Sequence, residues 1–472
     1  MPNHISPIRN YAARVVPSLD EDGGESSVND GKSITGPIVG TVRDSLAQTP
    51  LSNVLVVHAG KSFRTDTQGR FQIGDIVRGE PLILKASGYF PYSISDCREK
   101  TIEVRLEPHR AMGLYLTHFG IGNRVLRDRA LNMIRATGLN SLVIDVKGDR
   151  GYLSYKFNVP LAAQIGAHGL PTIKDIHSLL QQLHQEKIYV IARIVVFKDN
   201  ILAQAKPEWA ILNTQTEKPW IDNEELAWVD PFRQEVWDYN IAIAREAARA
   251  GFDEVQFDYV RFPTGGKLSA TRYSKPNTRE NRIQAISCFL EKTARELRET
   301  RAFLSADVFG YVPWNKNDTD IGQSLPELAQ HLDYICLMVY PSGYHLGIPG
   351  FRNPLSHPRE VVYYTLEQAK KRLGGQAEKL RPWIQNFPDY AFDKRPFTGN
   401  EISAQMMACD QAGTSGWLLW DPSNKYNYTL DALRLREKGG EASPLLVRAE
   451  TGRFQISQTQ PENDNSSKSL NR

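Results

Sequence analysis

Eight short apolar segments, spaced along the second two-thirds of the chain, constrain its fold more than any other feature. They are Gly113–Phe119, Ser141–Lys147, Tyr189–Phe197, Glu254–Val260, Leu304–Phe309, Tyr334–Tyr340, Pro382–Phe387 and Gly416–Trp420. Between them lie stretches such as Arg127–Thr137, Ile173–Gln185, Arg233–Ala250, Arg282–Glu299 and Glu360–Arg372, with apolar residues at i, i+3 and i+4 spacing. Strands that are apolar along their length are covered on both faces, as in a parallel sheet with helices outside it. Eight such strands alternating with helices predict an α/β chain whose residues 112–440 form a (β/α)8 TIM barrel. A doubly wound open sheet is the competing arrangement. No glycine-rich dinucleotide fingerprint or P-loop follows the first strand, which weighs against it.

Residues 35–108 read differently. Short alternating runs such as 38–42, 54–57, 71–73, 82–86 and 102–106 are separated by turn residues, including Asp66-Thr67-Gln68-Gly69 and Ser87-Gly88-Tyr89. This pattern predicts a small antiparallel β-sandwich. Residues 1–34 and 441–472 are polar and poor in apolar periodicity, and are expected to be a disordered leader and tail. The net charge of +3 in 472 residues is too small a bias to suggest a nucleic-acid or membrane-surface protein on charge alone, and no nucleic-acid partner is expected. The longest apolar stretch, Ile188–Phe197, is interrupted by Arg193, so no transmembrane segment is expected. The N-terminus lacks the apolar core of a signal peptide, so a cytoplasmic location is expected, with extracytoplasmic or cell-envelope association the alternative should the true start lie upstream. The four cysteines, Cys97, Cys288, Cys336 and Cys409, form no CxxC pair, and the ten histidines form no HExxH or HxH pair. Reduced thiols, no metal site and no cofactor are expected. Oligomeric state is not legible.

In a TIM barrel the chemistry sits where the strands end. Carboxylates end strands 2, 4, 5 and 8: Asp145, Asp258, Asp307 and Asp421. Aromatic, amide and arginine residues accompany them. Several carboxylates converging on one rim are hard to explain as structure alone, because unpaired buried charge is costly. Glycosidic bond cleavage needs two carboxyl groups flanking the bond, one to donate a proton and one to attack or to activate water.

Two resemblances follow. Gly40, Val42, Pro50, Leu51, Val54, Val56, Thr65, Asp66, Gly69, Phe71, Gly88 and Tyr89 are ordered as in the carboxypeptidase regulatory-like (transthyretin-like) domain, usually an accessory module. Phe257-Asp258-Tyr259-Val260-Arg261-Phe262-Pro263 resembles the strand-4 motif of glycoside hydrolase barrels of the DUF4015 type. The supporting pieces are Asp145–Asp149, Ala192–Val195 with Phe197–Asp199, Trp228–Pro231, Met338–Ser342 and Trp417–Asp421. The resemblance implies glycoside hydrolysis of a polysaccharide or cell-envelope glycan by two carboxylates, and thus a carbohydrate substrate. The alternative is a glycan-binding or envelope-scaffold protein that kept the barrel and lost the chemistry.

On these grounds Asp258 and Asp307 are the candidate catalytic residues. Asp258 stands by analogy with amylase-like barrels as nucleophile or charge stabiliser, and Asp307 as general acid with Phe309 and Tyr311 around it. Amylase-like barrels carry Glu where Asp307 stands, and Asp145 is the alternative partner of Asp258. The alternative for Asp258 is a buried ion pair with Arg261 or Arg193, and for Asp145 one with Lys147 or Arg193. Asp145, Arg193, Gln256, Tyr340, Gln385 and Trp420 are candidate substrate contacts. Asp421 reads as a cap or turn residue, Arg261 as a brace for the strand-4 loop, and the basic segment 265–281 as either a lid or a solvated loop.

Overall fold

The computed structural model describes residues 37–439, apart from 75, 76, 78 and 96–99. The expected leader 1–34, the expected tail 441–472 and Cys97 lie outside the described residues.

Eight parallel strands close into a barrel: β1 (Ala111–Leu116), β2 (Ser141–Lys147), β3 (Tyr189–Val195), β4 (Glu254–Asp258), β5 (Phe303–Phe309), β6 (Tyr334–Met338), β7 (Trp383–Gln385) and β8 (Gly416–Trp420). Sequence order is spatial order, and β8 returns to pair with β1. A helix follows each strand on the outside, among them Arg124–Ala136, Gln234–Ala250 and Arg279–Glu296.

The alternation of strand side chains divides the core in two. Leu142, Ile144, Val190, Ala192, Val255, Phe257, Leu304 and Ala306 face outward into one apolar layer with the helices. Tyr115, Val143, Tyr189, Ile191, Phe303, Tyr334, Cys336 and Trp383 fill the barrel interior. The same alternation puts Glu254, Gln256 and Asp258 at three successive interior heights on β4. At the lowest height Glu254 accepts from Arg381 at 2.5 Å, Tyr189 at 2.9 Å and Ser305 at 2.5 Å, with Glu254 and Arg381 fully buried. This network closes the floor, and Asp258 is left at the top.

Residues 38–106 form the two sheets of a sandwich. One holds Arg70–Ile73, Ile38–Asp44 and Thr101–Leu106; the other holds Lys61–Arg64, Leu55–His58, Leu82–Lys85 and Tyr92–Ile94. The pairings are antiparallel apart from Ile38–Asp44 with Thr101–Leu106, which run parallel. Val42, Val54, Val56, Phe71, Leu82 and Leu84 fill the space between the sheets. The sandwich sits under the barrel floor. Ser87 donates to the Asp333 carbonyl at 2.9 Å, and the Tyr334 hydroxyl accepts from the Gly88 amide at 2.9 Å. Among the described residues no helix is long and apolar enough to cross a membrane.

Candidate active site

Arg193 faces inward on β3, in register with Gln256 of β4. Arg193 is 4% exposed, and its guanidinium gathers three carboxyl groups, from β2 and β4 on either side and from β5 beyond β4. Nη1 donates to Asp145 Oδ1 at 2.5 Å, Nη2 donates to Asp258 Oδ2, and Nε lies 3.6 Å from Asp307 Oδ2. The other oxygens are also held. The Tyr115 hydroxyl donates to Asp145 Oδ2 at 2.5 Å, the Tyr259 amide to Asp258 Oδ1 at 2.6 Å, and the Trp383 indole N–H to Asp307 Oδ1 at 2.7 Å. Tyr259 reaches this position with φ +50°, in the left-handed region. A bulky residue there costs about 1–2 kcal/mol, so the turn that aims its N–H at Asp258 is a strained one.

One cation among three carboxyls leaves them unequal. Burial, reinforced by the Asp258 charge, pushes the Asp307 carboxyl well above the usual carboxylate range, and the pull of Arg193 and of the Trp383 N–H does not offset it. Burial raises Asp145 as well, against the attraction of Arg193. Burial opposes the charge on Arg193, but Asp145 and Asp258 outweigh it and keep the guanidinium protonated. Burial raises the Tyr340 hydroxyl, and the Asp307 and Asp258 charges raise it further.

Aromatic rings wall the cluster. Tyr115 and Trp420 stack at 4.1 Å and 15°, Trp383 stands edge-on to both, and Arg193 lies 4.9 Å from the Trp420 ring centre. Trp420 and Tyr340 are half-buried, each with part of its surface open at the mouth.

Asp145, Arg193, Asp258, Asp307, Tyr340 and Trp420 therefore meet in one place, while Gln256 and Gln385 do not join them. Gln256 is fully buried one height below Asp258, and its amide donates to Cys336 Sγ at 3.0 Å. Gln385 is fully buried too. It accepts from the Ser342 amide at 3.0 Å and donates to Ser342 Oγ at 2.7 Å, so its side chain ties the loop after β6 to β7. The Gln385 amide is spent inside the protein, whereas Gln256 uses its N–H on Cys336 and keeps its Oε1 buried without a partner, below the mouth.

Other expectations resolve in the same way. The apolar surroundings of Asp307 are Trp383, Cys336 and Tyr340. Phe309 and Tyr311 pack instead against the outer layer. Lys147 pairs with Asp199 at 2.7 Å, which leaves Asp145 to Arg193. Asp421 accepts from the amides of Ser423, Lys425 and Tyr426 and is a turn residue. Arg261 donates to the Phe262 carbonyl at 3.1 Å and packs over Tyr259 and Trp228. The basic segment is tied down at several points: Thr271–Arg272 pairs with Leu212–Asn213, Arg272 pairs with Glu217, and the Ser274 amide donates to Asp230 at 2.6 Å.

Sequence reasoning missed Tyr115, Trp383 and Tyr259. Alternation marks Trp383 as sharing a strand face with Gln385, but nothing local aims its N–H at Asp307. Tyr115 reads in the sequence as one more apolar strand residue.

A closed parallel barrel with carboxyl groups and aromatic rings gathered at its C-terminal mouth defines a class, the glycoside-hydrolase-like TIM barrels. Residues 113–426 match the family described as "Putative glycosyl hydrolase domain" (DUF4015), and the chain belongs to that family. Among solved structures it is 35% identical to a hypothetical protein from Ruminiclostridium thermocellum, covering 41% of this chain and 97% of that one with a TM-score of 0.37. The glycoside hydrolase domain of PgaB (BpsB) from Bordetella bronchiseptica is 15% identical, covering 71% of this chain and 99% of that one with a TM-score of 0.51. A β-galactosidase from the psychrophilic Marinomonas ef1 is 11% identical, covering 70% and 59% with a TM-score of 0.51. The last two likenesses are of fold. No curated protein matches the chain.

Proposed function

We propose that this protein cleaves glycosidic bonds of a polysaccharide or cell-envelope glycan with Asp258 and Asp307 as its two working carboxyls. One observation carries the reading: the Arg193 guanidinium touches both side chains at the barrel mouth, where burial lifts Asp307 well above the carboxylate range. A carboxyl so raised keeps its proton toward neutral pH and is suited to hand it to the departing oxygen as general acid. Asp258 accepts N–H donors on both oxygens and supplies fixed negative charge to an oxocarbenium-like carbon, as nucleophile or stabiliser. Asp145 anchors the far side of Arg193 at the edge of the substrate site. Trp420 and Tyr340 offer ring faces to the sugar.

The test is Asp258→Asn, assayed across a panel of glycans. Turnover is expected to fall at least ~100-fold, about 3 kcal/mol of barrier, with glycan binding and melting temperature largely kept. A variant that melts lower yet turns over near the wild-type rate makes Asp258 a structural ion-pair partner. A wild-type protein that binds glycans and cleaves none is the non-catalytic scaffold.

A further inference from the structure

A cleft of about 960 Å³ opens between the sandwich and the barrel floor, at the opposite end from Arg193, and none of the carboxyls around Arg193 lines it. Five cationic side chains do: Arg64 and Lys85 from the sandwich, and Arg295, Arg298 and Lys379 from the barrel. Three carboxylates, Glu291, Asp333 and Glu378, also line it, which leaves an excess of two positive charges.

The arrangement of these charges matters more than their number. No carboxylate lies within ion-pair distance of Arg64, Arg295 or Arg298 among the described residues. Lys85, 5% exposed, gives its ammonium to the Ala302 carbonyl at 2.9 Å, and Lys379 gives its own to the carbonyls of Ala329 and Leu332. The packing of one domain on the other then sets like charge against like. Burial is the main cause that lowers the proton affinity of Lys85 and Lys379; Asp333 draws both back up, and Arg298 beside Lys85 and Arg64 beside Lys379 add a smaller push downward. Like charges brought together across an interface disfavour it unless something negative sits between them. Asp333 answers the two lysines, whereas the arginines lining the cleft meet only neutral partners, Arg64 donating to the Asn53 carbonyl at 3.0 Å and Arg298 to the Ser62 hydroxyl at 3.5 Å, so their charge is left for an anion.

We propose that this cleft is a second, non-catalytic binding site that takes the anionic groups of an acidic glycan chain, with Arg64, Arg295 and Arg298 as the recognising residues. That the anion is carried on a glycan rests on the hydrolase reading; the anion site itself does not. Guanidinium groups suit both carboxylate and phosphate, since each presents paired donors to paired oxygens.

The experiment is calorimetric titration of the full chain with three probes: a short oligogalacturonate, a glycerol-phosphate polymer and a neutral cello-oligosaccharide. At least one anionic probe is expected to bind, more weakly as salt rises, and the neutral one not to bind at this site. The variant Arg64→Ala/Arg298→Ala should weaken anion binding at least about tenfold. Arg295→Ala, an exposed change that disturbs no packing, should weaken it in the same direction, and Asp258→Asn should leave it unchanged. Which anionic probe binds better separates carboxylate from phosphate as the source. Equal binding by wild type and both arginine variants, loss on Asp258→Asn, equal binding of the neutral probe, or no anion binding each overturns the proposal. Failure of hydrolysis with anion binding intact would remove the catalytic reading and leave the cleft.

Discussion

Arg193 sets the division of labour among the three carboxyls, because a single guanidinium cannot satisfy all of them. Asp307 receives the longest of its contacts and the strongest burial, and its carboxyl is the one displaced well above its ordinary value of 3.8. The sign of the resulting pH dependence follows. A carboxyl whose folded value exceeds its unfolded one contributes stability that is complete below about pH 4 and lost as pH rises toward the folded value. Asp307→Asn cannot ionise, so its melting temperature should fall less than that of the wild type between pH 4 and pH 8. Parallel pH series of thermal denaturation check this, and identical slopes would show that Asp307 ionises in the folded protein as readily as in the unfolded one. The acid role runs in the same direction, since turnover needs the protonated form and falls as pH rises through that value. At this scale the sequence reveals which residues are charged and on which strand they end. It cannot decide among Lys147, Arg193 and Arg261 as partners, because each choice depends on side-chain lengths meeting across strands that are 48 to 65 residues apart.

The elements were the most legible part. Eight apolar runs with helical stretches among them specify parallel strands covered on both faces, and their number, with no dinucleotide or P-loop fingerprint after the first, favours a closed barrel over an open sheet. What the pattern does not show is how closure is achieved. Gly416 opens β8 with φ +94°, and a Cβ there would stand 1.9 Å from the Ala111 carbonyl oxygen, at the seam where β8 pairs with β1. That atom belongs to backbone and cannot swing aside. Gly416→Ala is therefore expected to destabilise the protein by about 2–4 kcal/mol through backbone strain and loss of the seam's register, read as a lower midpoint in urea with little change in slope. An unchanged midpoint would mean that the seam can shift at no cost. The mixed pairing of the sandwich was likewise hidden. Alternation fixes which face of Ile38–Asp44 is buried, but its parallel neighbour, Thr101–Leu106, arrives only after some 60 intervening residues.

At the scale of the whole molecule, the two domains meet through few hydrogen bonds and one stack of rings. Phe90 of the sandwich lies 4.1 Å from His109, and His109 lies 4.7 Å from Tyr189 at the barrel floor. We propose that the barrel, residues 112–440, folds without residues 1–108, because its outer apolar layer and the buried residues of its inner one are its own, with Phe90 of the sandwich packed only against the inner layer's edge. A fragment beginning at His109 keeps the Arg110–Asp410 ion pair at 3.0 Å and should unfold cooperatively, at a lower temperature than the full chain. His109 gives this a sharper form. Burial, helped by the nearby Arg381 charge, lowers its pKa from 6.5 to about 3. A histidine held neutral in this way contributes stability that is present above pH 6.5 and lost as pH falls from there toward 3. Without the sandwich the Phe90 cover is gone, the imidazole gains water, and its titration should return toward the ordinary value. The advantage of the full chain over the fragment should then be greatest at neutral pH and shrink on acidification. Melting temperatures of both proteins from pH 4 to pH 8, with the His109 ring followed by NMR, would show it. A fragment that is insoluble or melts without cooperativity would mean that the two domains share one core. A constant gap between the melting curves would mean that His109 is shielded by the barrel alone.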